Sequence, residues 1–313
     1  MTRQTQGIIG VTAAQVLLGT LGVCVLESGA DPVSIAFYRC AIGGLVLMAT
    51  GAWRGDLPQI PRLPPRVLGL AVVSGVLMVG NWVLFFEAIQ RTSIAIATIV
   101  FHIQPFFMVV LGAIVFRERL RAVTLAWIAL ALLGLGLAIG LAGTAPKAGP
   151  YDPIGIACAL GGAFLYSLVT IVAKGVTGIK APQLTLVQCL CGTLLLAAVL
   201  PLEPLQVSSD QWGWFALIGV VHTGGVYVLL YNALPKLATP LAAVLLFFYP
   251  ASAILTDAMV YGHTIGWIQY AGFACILTAS LGVTLKRKAA RPLPAQDGFP
   301  KSDLKPPAAA PVP

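Results

Sequence analysis

Apolar stretches long enough to cross a bilayer follow one another along this chain with little between them. Ten of them run at about 7–26, 33–52, 66–88, 92–115, 121–141, 153–174, 183–202, 211–233, 238–258 and 265–285. A spanning helix needs about 20 mostly apolar residues, each rising about 1.5 Å. The pattern therefore predicts an all-α polytopic membrane protein with ten transmembrane helices. The first stretch is a poor signal peptide, because Cys24, Val25, Leu26 and Glu27 lack a small-residue cleavage pattern and further spans follow at once.

Composition agrees with that reading. Of 313 residues 58% are hydrophobic and only 10% charged, where a soluble domain carries about 25% charged residues. The six cysteines, at 24, 40, 158, 189, 191 and 275, all lie in or beside apolar stretches. They read as small hydrophobic residues, with neither a disulfide framework nor a metal site expected.

The net charge of +8 is informative through its placement. With the N-terminus in the cytoplasm, 16 Lys and Arg fall on the cytoplasmic side, counting six in the tail, and only Arg91 and Lys147 fall opposite. Arg39 is left within a span. The opposite side gathers Glu27, Asp31, Glu87, Asp152, Glu203, Asp210 and Asp257. The positive-inside rule thus places both termini in the cytoplasm, with the lipid bilayer as a partner and no nucleic acid required. Residues 286–313, opening with Lys286, Arg287 and Lys288 and then rich in Pro and Ala, are expected to form a disordered cytoplasmic tail.

An internal repeat organises the spans. At an offset of 145, Trp82 lies over Tyr227, Phe86 over Tyr231, Pro105 over Pro250 and Phe116 over Tyr261. Pro32 and Pro182 both open a helix at an offset of 150. Five helices per unit force the second copy to enter from the other side, so residues 1–145 and 146–285 are expected to be inverted five-helix repeats. Secondary transporters built this way hold substrate between the repeats near mid-membrane. Pro105 and Pro250 each remove a backbone hydrogen bond inside a span, and kinks are expected there.

These residues carry a resemblance. Pro32 and Arg39 in the second span, the run Ala88, Ile89, Gln90, Arg91, Thr92 and Ser93, and Pro105 in the fourth resemble the EamA group of the drug/metabolite transporter superfamily. So do Phe116 to Leu120, Gly134 with Gly136, the run Ala233 to Lys236, and Pro250. The resemblance covers roughly residues 7–285 and looks most like the aromatic amino acid exporter branch. It implies a secondary transporter of amino acids, other metabolites or drugs, with no cofactor. One departure stands out: the family's Gly-Glu pair is Arg117 with Glu118 in the first copy and Gly262 with His263 in the second.

Polar and aromatic residues at depth supply the candidate site, since such groups are costly in lipid unless paired or used. Trp82 and Phe86 share a helix face, as do Tyr227 and Tyr231, and aromatic walls suit an apolar side chain or an ammonium group. Asn81 and His102 suit the polar end of an amino acid, and Tyr166 and Tyr249 extend the lining. Satisfied interhelical hydrogen bonds and simple packing are the competing readings. Arg39 is expected to snorkel outward or to form an ion pair with Glu27, Asp31, Glu87 or Asp257, as an outer gate or a fixed tie. Glu118 is expected to steady the turn after the fourth span. Catalytic and Walker patterns are missing.

The sequence thus predicts a multi-pass protein of a bacterial-type inner membrane that exports small metabolites, amino acids foremost. A broad drug or metabolite exporter and a non-transporting sensor or scaffold remain as alternatives. A single copy suffices for this reading.

Overall fold

The structure is a computed structural model that describes residues 1–116, 122–138, 152–173, 175–200, 207–237, 241–242, 245–263 and 266–289. Glu118 and the tail from 290 onward lie outside the described residues, and so do the roles expected of them.

Every described element is helical, and the described residues contain no strand. In chain order the helices are α1 (Arg3–Gly19), α2 (Leu21–Glu27), α3 (Pro32–Trp53), α4 (Pro65–Arg91), α5 (Ile94–Phe101), α6 (Gln104–Phe116) and α7 (Ala122–Ala138). They continue with α8 (Pro153–Ala173), α9 (Ala181–Ala197), α10 (Ser209–Ala216), α11 (Val226–Ala233), α12 (Phe248–Tyr261) and α13 (Trp267–Ala289). A π-helical segment, Leu217–Gly225, joins α10 to α11. Six stretches are long and apolar enough to cross a membrane: Arg3–Glu27, Pro32–Trp53, Pro65–Arg91, Ile94–Val115, Pro153–Ala173 and Ser209–Lys236. Ala122–Ala138, Ala181–Ala197 and Trp267–Gly282 are shorter apolar helices. Large apolar side chains such as Leu194 and Met259 are three-quarters exposed, as lipid-facing residues should be.

Local chemistry explains where the helices begin. The Asp31 carboxylate accepts from the backbone N–H of Val33 and Ser34 at 3.0 and 2.9 Å, and Pro32 occupies the first helical position. A proline there sacrifices no hydrogen bond. Pro182 sits in the first turn of α9 in the same way, so both prolines do open helices. Ser93 caps α5 through the Ile96 N–H at 3.2 Å.

Pro105 and Pro250 behave differently from the expected kink inside a continuous helix. Helix α5 stops at Phe101, a turn follows, and α6 resumes at Gln104 with Pro105 in its first turn. In the ninth stretch a turn at Leu246 and Phe247 precedes α12, and Pro250 again lies in the first turn. Both prolines restart a helix after an interruption, where the missing N–H costs little. Interrupted backbone is tolerated at membrane depth only if protein satisfies it. Ser167 donates to the Gln104 carbonyl at 2.9 Å and Ser280 to the His102 carbonyl at 3.4 Å.

The packing pairs the two halves throughout. Helix α1 lies against α11 and α12, while α8 lies against α4, α5 and α6. Helix α3 meets both α9 and the π-helical segment, α4 also meets α9, and α7 meets α13. The last contact is made by glycines: a Cβ at Gly134 would come within 2.6 Å of the Gly272 carbonyl, and one at Gly272 within 2.6 Å of the Gly134 carbonyl.

Ties at the two ends of the bundle also join the halves. At the acidic end Arg91 holds Glu87 and reaches Asp152 at 3.1 Å. The Ile154 backbone N–H, and after it Arg91, hold the Asp152 carboxyl below the usual carboxylate range. At the same end Tyr261 donates to Glu27 at 2.8 Å and Gln211 to the Ser28 carbonyl at 3.1 Å. At the basic end Lys180 pairs with Asp56 at 2.6 Å, and Gln183 donates to the Asp56 carbonyl at 2.5 Å.

The glycine contact gives a direct check. Gly134→Ala is expected to destabilise the protein by about 1–3 kcal/mol through overpacking. Gly69→Ala, where an added Cβ meets nothing, is expected to be neutral or slightly stabilising by helix propensity. Thermal unfolding of both variants in detergent checks the contrast.

Candidate substrate site

The interior is polar where the two halves meet. Arg39, on α3, is 3% exposed. Its guanidinium lies over Trp82 of α4 at 4.6 Å from the ring centroid and over Phe86 at 5.7 Å. The Tyr227 hydroxyl of α11 also lies close to it. Tyr227 stacks on Tyr231 at 5.8 Å with 19° between the planes. Arg39 therefore joins the aromatic pair of the first half to the tyrosine pair of the second.

The ion pair expected for Arg39 does not form among the described residues, because each proposed partner is engaged elsewhere. Glu27 accepts from Tyr261, Asp31 caps α3 and Glu87 is held by Arg91. Asp257, fully buried, meets His263 Nδ1 at 3.1 Å and accepts from the Ala95 N–H at 3.1 Å. The second copy's His263, standing where the family carries an acid, thus leans on a carboxylate six residues earlier.

A second polar group forms around the two helix interruptions. His102 stacks against Tyr249 at 5.8 Å and lies 6.5 Å from Phe247. His102 and Phe247 are equivalent positions at the 145 offset. His102 Nδ1 donates to the Thr98 carbonyl at 2.7 Å, which in the neutral ring leaves Nε2 as an acceptor. The Tyr249 hydroxyl lies by Thr98. Tyr166 faces Phe101 at 5.9 Å. Tyr231 shares a 2.7 Å hydrogen bond with Thr185 of α9.

Asn81 already has a partner in the other half. Its Nδ2 donates to the Gly162 carbonyl at 2.8 Å, and the residue is buried. That bond fastens α4 to α8, the competing structural reading. Other members of the polar interior are His222, a histidine in an apolar span like His102, and threonines that carry no sequence signal. His222 donates from Nδ1 to the Leu217 carbonyl at 3.1 Å within the π-helical turn, and its Nε2 meets the Thr20 hydroxyl at 2.9 Å. Thr20 sits at the break between α1 and α2. Thr20, Thr98 and Thr185 are ordinary residues in apolar runs until the fold places them.

Comparison with known proteins agrees with this architecture. The profile of the EamA-like transporter family matches residues 5–140 and again 153–285. The uncharacterized transporter YxxF of Bacillus subtilis (strain 168) is 25% identical over 91% of this chain and 91% of its own length. An uncharacterized transporter of Archaeoglobus fulgidus is 27% identical over 88% of this chain and 95% of its own. The threonine/homoserine exporter RhtA of Salmonella typhimurium (strain SL1344) is 27% identical over 89% of this chain and 82% of its own. A protein known from a crystal structure shares the fold, with a TM-score of 0.61 and 21% identity over 93% of this chain and all of the other. With its profile matched twice along nearly the whole length, this chain is a multi-pass membrane protein that belongs to the EamA-like transporter family.

Proposed function

We propose that this transporter exports small metabolites, amino acids foremost and aromatic ones among them, from the cytoplasm by alternating access. The observation that carries the reading is the meeting of the two aromatic pairs, Trp82 with Phe86 and Tyr227 with Tyr231, around one polar centre. Rings on both sides suit an apolar or aromatic side chain, and the hydroxyls of Tyr231 and Tyr249 and the second ring nitrogen of His102 suit polar ends. The RhtA relatives, named as exporters of threonine and homoserine, support an amino acid cargo.

The architecture proposed is ten crossings in two inverted five-helix repeats, 1–145 and 146–285, in a bacterial inner membrane. The contact pattern supports it. A pseudo-twofold axis turns the first stretch against the eighth and ninth into the sixth against the third and fourth, and those are the packings found. The second stretch meets the seventh and the fifth the tenth, self-paired contacts that fit such an axis. His102 and Phe247 approach one another as residues beside such an axis would. The helix interruptions at Pro105 and Pro250 then serve as hinges, and the ties at the acidic and basic ends open in turn.

Liposomes containing only this protein are expected to take up labelled amino acids faster than empty liposomes; equal rates across an amino acid panel would remove the substrate assignment. Tyr231→Ala is expected to lower uptake by roughly tenfold, the effect of about 1.4 kcal/mol of lost interaction. Reporter tags at the two termini are expected to lie on the cytoplasmic side, and one outside terminus would overturn the orientation.

A further inference from the structure

We infer that Arg39 is the receptor for the carboxylate of the transported solute. The inference rests on the reading of this chain as a transporter of small metabolites and specifies which end of the solute is held, and by what.

A guanidinium keeps its proton under all ordinary conditions. At depth in a membrane a charge costs about 3 kcal/mol or more, and proteins normally offset it with a carboxylate. Arg39 has none. Its Nε is buried without any hydrogen-bond partner, and no ion pair to it forms among the described residues. The titratable groups that feel its charge are the thiols of Cys40 and Cys189, the imidazole of His222 and the hydroxyls of Tyr227 and Tyr249. In their ordinary forms all of these are neutral groups near pH 7, and none is a carboxylate.

What surrounds Arg39 is incomplete compensation. Trp82 and Phe86 contribute as cation–π partners, but an aromatic face accepts none of the in-plane N–H bonds of the guanidinium. Those donors fit a carboxylate in a paired, fork-like geometry. The Tyr227 oxygen is placed to accept from the guanidinium, and its own O–H can donate to an anion bound there. The arrangement places an unpartnered guanidinium N–H at the junction of the halves, beside the aromatic rings that would take the solute's side chain. A purely structural arginine would instead have its counter-ion within the protein; all four nearby acids of the acidic end have been committed to other partners.

The test uses the purified full-length protein in nanodiscs of zwitterionic lipid, which excludes anionic headgroups as the bound species. Binding is measured for matched pairs: L-threonine and L-threoninamide, L-phenylalanine and L-phenylalaninamide, phenylacetate and phenylacetamide. At least one acid is expected to bind, with its amide about tenfold weaker or more, the size of a lost charge-assisted hydrogen bond. Arg39→Gln is expected to abolish the difference between acid and amide, and Arg39→Lys to keep part of it. Equal binding of acid and amide, an undiminished difference in Arg39→Gln, or no binding by any of the acids would overturn the inference. The wild-type comparison decides even if Arg39→Gln does not fold. Transport of amino acids without discrimination against the amides would refute the role of Arg39 alone. Discrimination without transport would refute the export reading and leave Arg39 as an anion site.

Discussion

A charge that cannot be shed must be solvated by something, and in the interior of a membrane protein that constraint reaches far. Arg39 satisfies it only in part. Its placement forces α3, α4 and α11 to bring two aromatic rings and a tyrosine hydroxyl to one point. It thereby fixes where the two halves of the chain face one another. The polar interior at the helix interruptions obeys the same constraint at the level of the backbone. The carbonyls of His102 and Gln104 beside the break accept from Ser280 and Ser167, so a break that lipid would not tolerate becomes a stable feature inside protein.

Around this centre the bundle is held by features of two kinds. Along its length the halves approach through small residues, as at Gly134 and Gly272, where backbone contact replaces side-chain packing. At its ends they are tied by a few polar contacts, Lys180 with Asp56 at one end and Arg91 with Asp152 at the other. These end ties are partly exposed to water and individually weak. A bundle that is close-packed along its seams and weakly tied at its mouths is mechanically suited to opening at one mouth at a time.

Much of this was legible in the sequence, and what was not has physical reasons. Apolar length located the helices, and Asp31 with Pro32 announced the start of α3. The 145 offset paired Trp82 and Phe86 with Tyr227 and Tyr231 before any contact was known. Arg39 was conspicuous as a charge in a span, yet its surroundings were misjudged, because nearby acids in the sequence suggested a partner. Each acid instead had a closer claim on it: a helix N-terminus for Asp31 and Asp257, a one-turn neighbour for Glu87, a tyrosine from the other half for Glu27. Asn81 looked like a ligand because a buried amide must bond to something, and only the fold reveals that Gly162 already supplies the acceptor. Threonines 20, 98 and 185 were invisible, since a hydroxyl in an apolar run is normally satisfied by its own helix.

The most direct test of the account is a structure determined with a transported acid bound. The account predicts its carboxylate within hydrogen-bonding distance of the Arg39 guanidinium and its side chain between the Trp82 and Tyr227 rings. A solute bound elsewhere in the bundle, or one whose carboxylate points away from Arg39, would contradict it.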